Sequence, residues 1–184
     1  MRFQQQLLSK LWILALLIVS CSSSDDKLEP CLEVDNIGSM TVKGNDLKNY
    51  SYNNLTYSYM DREGVNANGN FVYEFIYSNY DIDATQVKEG YFLKFRIITP
   101  DHIPDGTFTL TDSIKTISHV ETFYDFTPGE SLGKIDVTNM SVTFSNFDDC
   151  LNHEIKVYFL DDEYPPGIEG NGVFVGKSNL YTIE

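Results

Sequence analysis

The sequence predicts an all-β domain, an antiparallel β-sandwich of about ten short strands, with an open barrel as the alternative form. Three observations carry that expectation. No stretch after residue 30 repeats its apolar residues with the 3.6-residue period of a helix. In its place stand short runs in which apolar and polar residues alternate, rich in β-branched and aromatic side chains and bounded by Gly, Asn, Asp and Pro. The twelve Tyr and twelve Phe suit pleated, half-buried surfaces, where rings pack against cross-strand neighbours.

In chain order the strand candidates are 39–43, 55–60, 71–77, 91–98, 107–110, 117–124, 134–137, 140–147, 154–159, 172–175 and 180–183. Within 91–98, Leu93, Phe95 and Ile97 share one face and Lys94 and Arg96 take the other. Ile155, Val157 and Phe159 oppose Glu154, Lys156 and Tyr158, and Ile135 and Val137 oppose Lys134 and Asp136, as half-buried antiparallel strands require. Turns are marked by Asn68-Gly69-Asn70, Pro104-Asp105-Gly106, Pro128-Gly129 and Pro165-Pro166-Gly167. Residues 82–89 depart from the pattern and suit a single helical turn.

Ahead of the strands, residues 1–20 have Arg2 and Lys10 followed by the apolar run Leu11 to Val19. That run is too short to span a bilayer as a helix, which takes about 20 residues, and fits the apolar segment of a secretory signal. The junction Ile18-Val19-Ser20-Cys21 resembles the lipobox of bacterial lipoproteins. The resemblance implies cleavage before Cys21, a diacylglycerol on its thiol and acylation of the new amino terminus. Two or more chains make such an anchor stable where one is marginal. Ser22-Ser23-Ser24-Asp25-Asp26 then resembles the export signal of Bacteroidetes surface lipoproteins, which implies an outer-membrane protein facing the cell exterior. A flexible polar tether uses the same residues without export. The expected organisation is a signal over 1–20, lipidated Cys21 and tether over 21–30, and one domain over 31–184.

Loss of the signal removes two basic residues and no acid, taking the formal charge from −14 to −16. Such a surface repels phosphate backbones and anionic headgroups, which argues against nucleic acid and against membrane contact beyond the lipid. With Cys21 spent on lipid, Cys31 and Cys150 remain as an even pair in an oxidising compartment. A disulfide between them is one reading and two buried thiols the other; neither cysteine belongs to a CxxC pair that would suggest a metal.

From "IPDGTFTLTD" through "GKIDVTNMSVTF", "HEIKVYF" and "IEGNGVFVG", roughly residues 91–176, the chain resembles small β-sandwich lipoproteins of Bacteroidetes that carry domains of unknown function. The shared features are turn glycines and strand alternation, so the resemblance implies fold and compartment and no activity.

Several patterns bear on chemistry. Gly129-Glu130-Ser131-Leu132-Gly133 matches the G-x-S-x-G of serine hydrolases, but a strand pattern follows where the nucleophile elbow needs a helix. His102, His119 and His153 fall in separate segments without zinc spacing and read as surface or strand histidines. Asp61, Glu63, Asn66 and Asn68 set oxygen donors close together between two strands, where calcium is the cofactor they could hold; their spacing misses the EF-hand pattern, so they read as a long polar hairpin loop and the expectation is no cofactor. Asp148-Asp149 and Asp161-Asp162-Glu163 read as solvated acids near strand ends, and Asp112-Ser113-Ile114 resembles a Bacteroidetes O-glycosylation acceptor. Tyr57 and Tyr59 share one strand face and Tyr73 and Tyr77 another, so a sheet could present an aromatic strip, as core filling or as a ligand surface.

These readings converge on a cell-envelope lipoprotein whose domain is a non-enzymatic binding or accessory module for a glycan or an outer-membrane protein. The alternative is a structural or immunity-type lipoprotein that binds a protein partner, its acidic surface steering a basic one. A hydrolase stands third.

Overall fold

The computed structural model describes residues 31, 34–44, 47–81, 90–124, 133–162 and 167–180. The chain divides into two compact units, Met1–Cys31 and Leu32–Glu184. The second carries all the described secondary structure.

That structure is all β. The strands are β1 (Ile37–Lys43), β2 (Asn49–Asn53), β3 (Tyr57–Val65), β4 (Phe71–Ser78), β5 (Tyr91–Thr99), β6 (Gly106–Thr109), β7 (Thr116–Tyr124), β8 (Gly133–Ile135), β9 (Asn139–Ser145), β10 (Asn152–Asp161), β11 (Ile168–Lys177) and β12 (Asn179–Leu180). They join in one mixed sheet, ordered β12-β3-β4-β5-β7-β6-β9-β10-β11-β1-β2, with β8 on β7. Among the described residues, only β12 with β3 and β6 with β7 run parallel. Of the two expected forms, the hydrogen bonding follows the open barrel, because the sheet is continuous and curls into a half-barrel.

The continuity is slender at one point. Thr109 opposite Thr116 is the pairing between β6 and β7, and it links a half containing β3, β4, β5 and β7 to a half containing β9, β10, β11 and β1. The inner faces of the halves meet as in a sandwich: the Phe75 ring lies 4.9 Å from Phe144, and Tyr77 lies 4.8 Å from Phe174. Alternation sets the inner faces. Leu93, Phe95 and Ile97 of β5 and Ile155, Val157 and Phe159 of β10 are buried, while Lys94, Arg96, Glu154 and Lys156 point away. Gly38 on β1 sits where a Cβ would meet the Leu55 Cβ at 2.8 Å, so a small residue lets these segments close.

Strand β4 is buried on both faces at its centre. On its outer side Glu74 is 2% exposed, with Lys94 Nζ 2.9 Å from Oε1 and Arg96 3.4 Å from Oε2. Oε1 accepts no aligned hydrogen bond, so its contact with Lys94 is an ion pair only. Arg96 also reaches Glu63 at 2.5 Å, which makes a charged ladder across β3, β4 and β5.

Some strand expectations shift. β2, in the polar stretch Asn49–Asn53, had no sequence signal and forms by pairing with β1. The 134–137 candidate ends as a strand at Ile135, leaving half-buried Val137 beyond it. The 82–89 candidate lies outside the described residues, and so does the end of the 180–183 candidate.

Candidate binding cleft

At one end of the half-barrel the inner face runs past its cover. The inward positions of β3 are Ser58, Met60 and Arg62; the first two are buried and the third is exposed. An arginine at a core-facing register position is the anomaly of this strand. A β-bulge follows between Arg62 and Gly64, where Gly64 takes φ +105°, a conformation that favours glycine. The Arg62 guanidinium stands 5.3 Å over the Phe71 ring and 6.0 Å over Tyr73. Among the described residues no carboxylate lies within ion-pair range of it.

The loop after β5 is fastened beside it. The Tyr73 hydroxyl donates to the His102 carbonyl, and the His102 ring meets Phe71 edge to face at 5.2 Å. Burial raises the Tyr73 hydroxyl pKa, and the nearby Arg62 charge partly offsets this.

The facing wall is the loop between β9 and β10. Asp148 Oδ1 accepts the N–H groups of Cys150 and Asn152, each at 2.9 Å, and Oδ2 accepts the Asn152 side-chain amide at 3.0 Å. Desolvation works against the Asp148 charge, but the Asn152 and Cys150 hydrogen bonds outweigh it and hold the carboxyl below its ordinary range. Leu151 closes the turn at φ +65°, a conformation uncommon for a residue with a side chain. It is held there through its carbonyl, which accepts from the Ser178 N–H at 3.1 Å and from His153 Nδ1 at 2.9 Å.

Between these walls lies a cleft of about 390 Å³. Met60, Ile103, Phe147, Leu151 and Leu180 supply its apolar lining, and Arg62, Tyr73, His102, Asp148 and Asp149 supply its polar groups. Its size is at the small end of the range of about 300–1,000 Å³ usual for ligand sites, and an apolar lining with a few polar groups is the usual composition. The Tyr73 hydroxyl is committed to the His102 carbonyl, and the Asp148 carboxylate to the backbone and side chain of its own turn.

A sealed polar cluster lies behind the apolar wall. The His153 ring stacks on Phe147 at 5.2 Å and lies 2.7 Å through Nε2 from the Tyr77 hydroxyl. Because Nδ1 faces a carbonyl, which only accepts, Nδ1 carries the proton and Nε2 accepts from Tyr77. Ser58 and Ser178, both fully buried, share a 2.6 Å hydrogen bond beside the same tyrosine. Burial lowers the His153 pKa to about 4 and pushes the Tyr77 hydroxyl well up, so both are neutral at pH 7.

The residues singled out in the sequence scatter over this frame. The four tyrosines do not form one strip. Tyr73 and Tyr77 face inward and are buried, whereas Tyr57 and Tyr59 face outward, half-buried, with Tyr59 donating to Asp81 at 3.2 Å. The reason is register: Tyr77 pairs with Ser58, so the tyrosines of β3 are one position out of phase with those of β4. Of the calcium candidates, Glu63 is engaged by Arg96, and Asn66 Oδ1 accepts the N–H groups of Asn68 and Asn70 at 3.0 Å each, which closes the hairpin. Asp61 sits on the outer side of β3. Among the described residues no three His, Cys, Asp or Glu side chains converge as a metal site.

Cys31 and Cys150 are joined in a disulfide. His102 lies at the cleft, His119 is exposed on β7 at 3.2 Å from Glu121, and His153 is buried. The Asp112 carboxylate accepts the Ile114 and Lys115 N–H groups in a surface turn, and these hydrogen bonds lower its pKa. Ser131 and the Ile18-Val19-Ser20-Cys21 junction lie outside the described residues.

Sequence reasoning missed Arg62, Ile103, Phe147, Leu151 and Leu180 as cleft residues. The one available signal was Arg62, which interrupts the inward series begun by Ser58 and Met60. No family model matches this chain, nor does any curated protein or solved structure.

Proposed function

We propose that this chain is an exported, lipid-anchored envelope protein whose β domain is a non-enzymatic binding module, and that it binds through the end cleft. One observation carries the binding reading: an apolar-lined recess bordered by an arginine at a core-facing position of β3. Export is supported by the Cys31–Cys150 disulfide, which fits an oxidising compartment. The anchor rests on the residues ending at Cys21. The cleft suits an apolar group, either a small ligand or a partner's side chain. A glycan surface built from Tyr57, Tyr59, Tyr73 and Tyr77 would rest on the outward Tyr57 and Tyr59, because Tyr73 and Tyr77 are in the core.

Thermal unfolding of the full chain against fatty acids, short peptides and oligosaccharides tests this. A ligand at a hundredfold above its dissociation constant adds about 2.7 kcal/mol to stability. A midpoint rise with an apolar ligand, abolished by filling the cleft with Ile103→Trp, is the expected result. A rise with an oligosaccharide that survives Ile103→Trp and is lost in Tyr59→Ala would move the site to the outer face. Cys21→Ala, expressed in cells, should shift the protein from the membrane to the soluble fraction.

A further inference from the structure

Building on the cleft as the binding site, we infer that its ligand is zwitterionic: a short peptide, or an apolar amino acid, with free amino and carboxyl groups. The inference comes from where the charges stand. Arg62 belongs to β3, on one wall; Asp149 belongs to the β9–β10 loop, on the other. They share one cleft yet form no ion pair with each other, and among the described residues Arg62 has no other acid to neutralise it. Asp148, beside Asp149, is already satisfied by three hydrogen bonds.

On β5, two strands away, both bases are paired. Lys94 and Arg96 both meet Glu74, and Arg96 also meets Glu63. Of the two arginines among the described residues, Arg96 is therefore paired with carboxylates and Arg62 is not. The planar fork of Arg62 matches a carboxylate in bidentate fashion, and it rests over the Phe71 and Tyr73 rings at the cleft. A carboxylate ligand alone would answer Arg62 and leave Asp149 facing a like charge. An amine alone would do the reverse. A molecule carrying both groups, with an apolar side chain against Ile103, Phe147 and Leu151, satisfies both walls at once.

Isothermal titration calorimetry on the full chain, with Leu-Leu, N-acetyl-Leu-Leu, Leu-Leu amide and octanoate as probes, tests the inference. Leu-Leu should bind, and blocking either end should weaken it at least about tenfold, the lower end of what a charge-assisted hydrogen bond contributes. Arg62→Gln should erase the difference between the acid and its amide. Asp149→Asn should erase the difference between the amine and its acetylated form. Both side chains are exposed, so the variants keep the fold. Octanoate binding as tightly as Leu-Leu, unchanged by Asp149→Asn and lost on Ile103→Trp, overturns the zwitterion and leaves the cleft standing. No saturable heat with any probe overturns both.

Discussion

Tyr73 and Tyr77 lie on the same face of the same strand, four residues apart, and end in different surroundings. At Tyr77 the opposite half of the sheet closes over the ring. Phe174 packs against it, His153 accepts its hydroxyl, and the two buried serines lie beside it. At Tyr73 the ring is still buried, but its hydroxyl leaves the core to hold the His102 loop, and the neighbouring inward position is Arg62 rather than an apolar side chain. Alternation thus assigns a residue to a face, and the cover from the other half decides whether that face is core or binding site.

The largest test of this contrast is deletion of packing in the sealed middle. Phe75 is fully buried against Phe95, Phe144 and Tyr77, so Phe75→Ala should cost about 3–5 kcal/mol. At about 2–4 °C per kcal/mol for a chain of this size, calorimetry should show the midpoint fall by roughly 10 °C. A loss under about 1 kcal/mol would mean that the halves do not pack as described.

The disulfide contributes on a similar scale. Replacing Cys31 and Cys150 with Ser releases a closed loop of more than a hundred residues, which the chain-entropy model values at about 5 kcal/mol. Cys150 lies in the β9–β10 loop that walls the cleft, so the same change should weaken ligand binding, whereas Phe75→Ala should leave the cleft formed at temperatures where the protein is folded.

Acid separates the regions further. The folded pKa of His153, about 4, lies below its unfolded value of about 6.5. Above pH 6.5 the histidine is neutral in both states and adds nothing to the pH dependence. Between pH 6.5 and 4 the unfolded chain takes up a proton that the folded chain refuses, so stability falls, by about 3 kcal/mol in all. Asp148, whose folded pKa is depressed, contributes in a separate window: its share is present above the ordinary carboxylate range and is lost only as the pH falls through and below it. Denaturant midpoints measured from pH 7.5 to 4 should therefore decline in the wild type. His153→Leu should flatten that decline, and a slope unchanged in that variant would assign the acid sensitivity elsewhere.

Much of the sheet was legible because period-2 alternation is local. Leu93, Phe95 and Ile97, and Ile155, Val157 and Phe159, lie inside as their spacing requires. The relation between strands was not legible. Tyr57 and Tyr59 alternate as cleanly as Tyr73 and Tyr77, and only the pairing of Ser58 with Tyr77 shows that the two sets face opposite ways. β2 was invisible because Asn49, Ser51 and Asn53 have little strand preference, and its order comes from β1. The cleft was hidden for a related reason. Arg62, Ile103, Phe147, Leu151 and Leu180 come from four separate segments and share no motif. A histidine that looked like an ordinary strand residue proved to be the centre of the buried polar cluster, since nothing local reveals that Tyr77 and Leu151 converge on it.

The smallest expected effect sharpens the contrast most. Arg62→Gln removes a charge from an exposed side chain that forms no ion pair among the described residues, so its stability cost should stay within about 0.5 kcal/mol apart from the loss of cation–π contact with Phe71, worth about 0.5–1 kcal/mol at an exposed site. Tyr77→Phe removes one hydroxyl from the sealed cluster and leaves His153 Nε2 as a buried acceptor without its donor, which should cost about 1–3 kcal/mol. If the open end is a site, the first variant should lose binding and keep stability, and the second should lose stability and keep binding. Urea unfolding and ligand titration on the same two proteins read both quantities. A stability loss in Arg62→Gln as large as that in Tyr77→Phe would mean that the arginine is a structural member of the core edge, and the open end would then differ from the sealed middle in exposure alone.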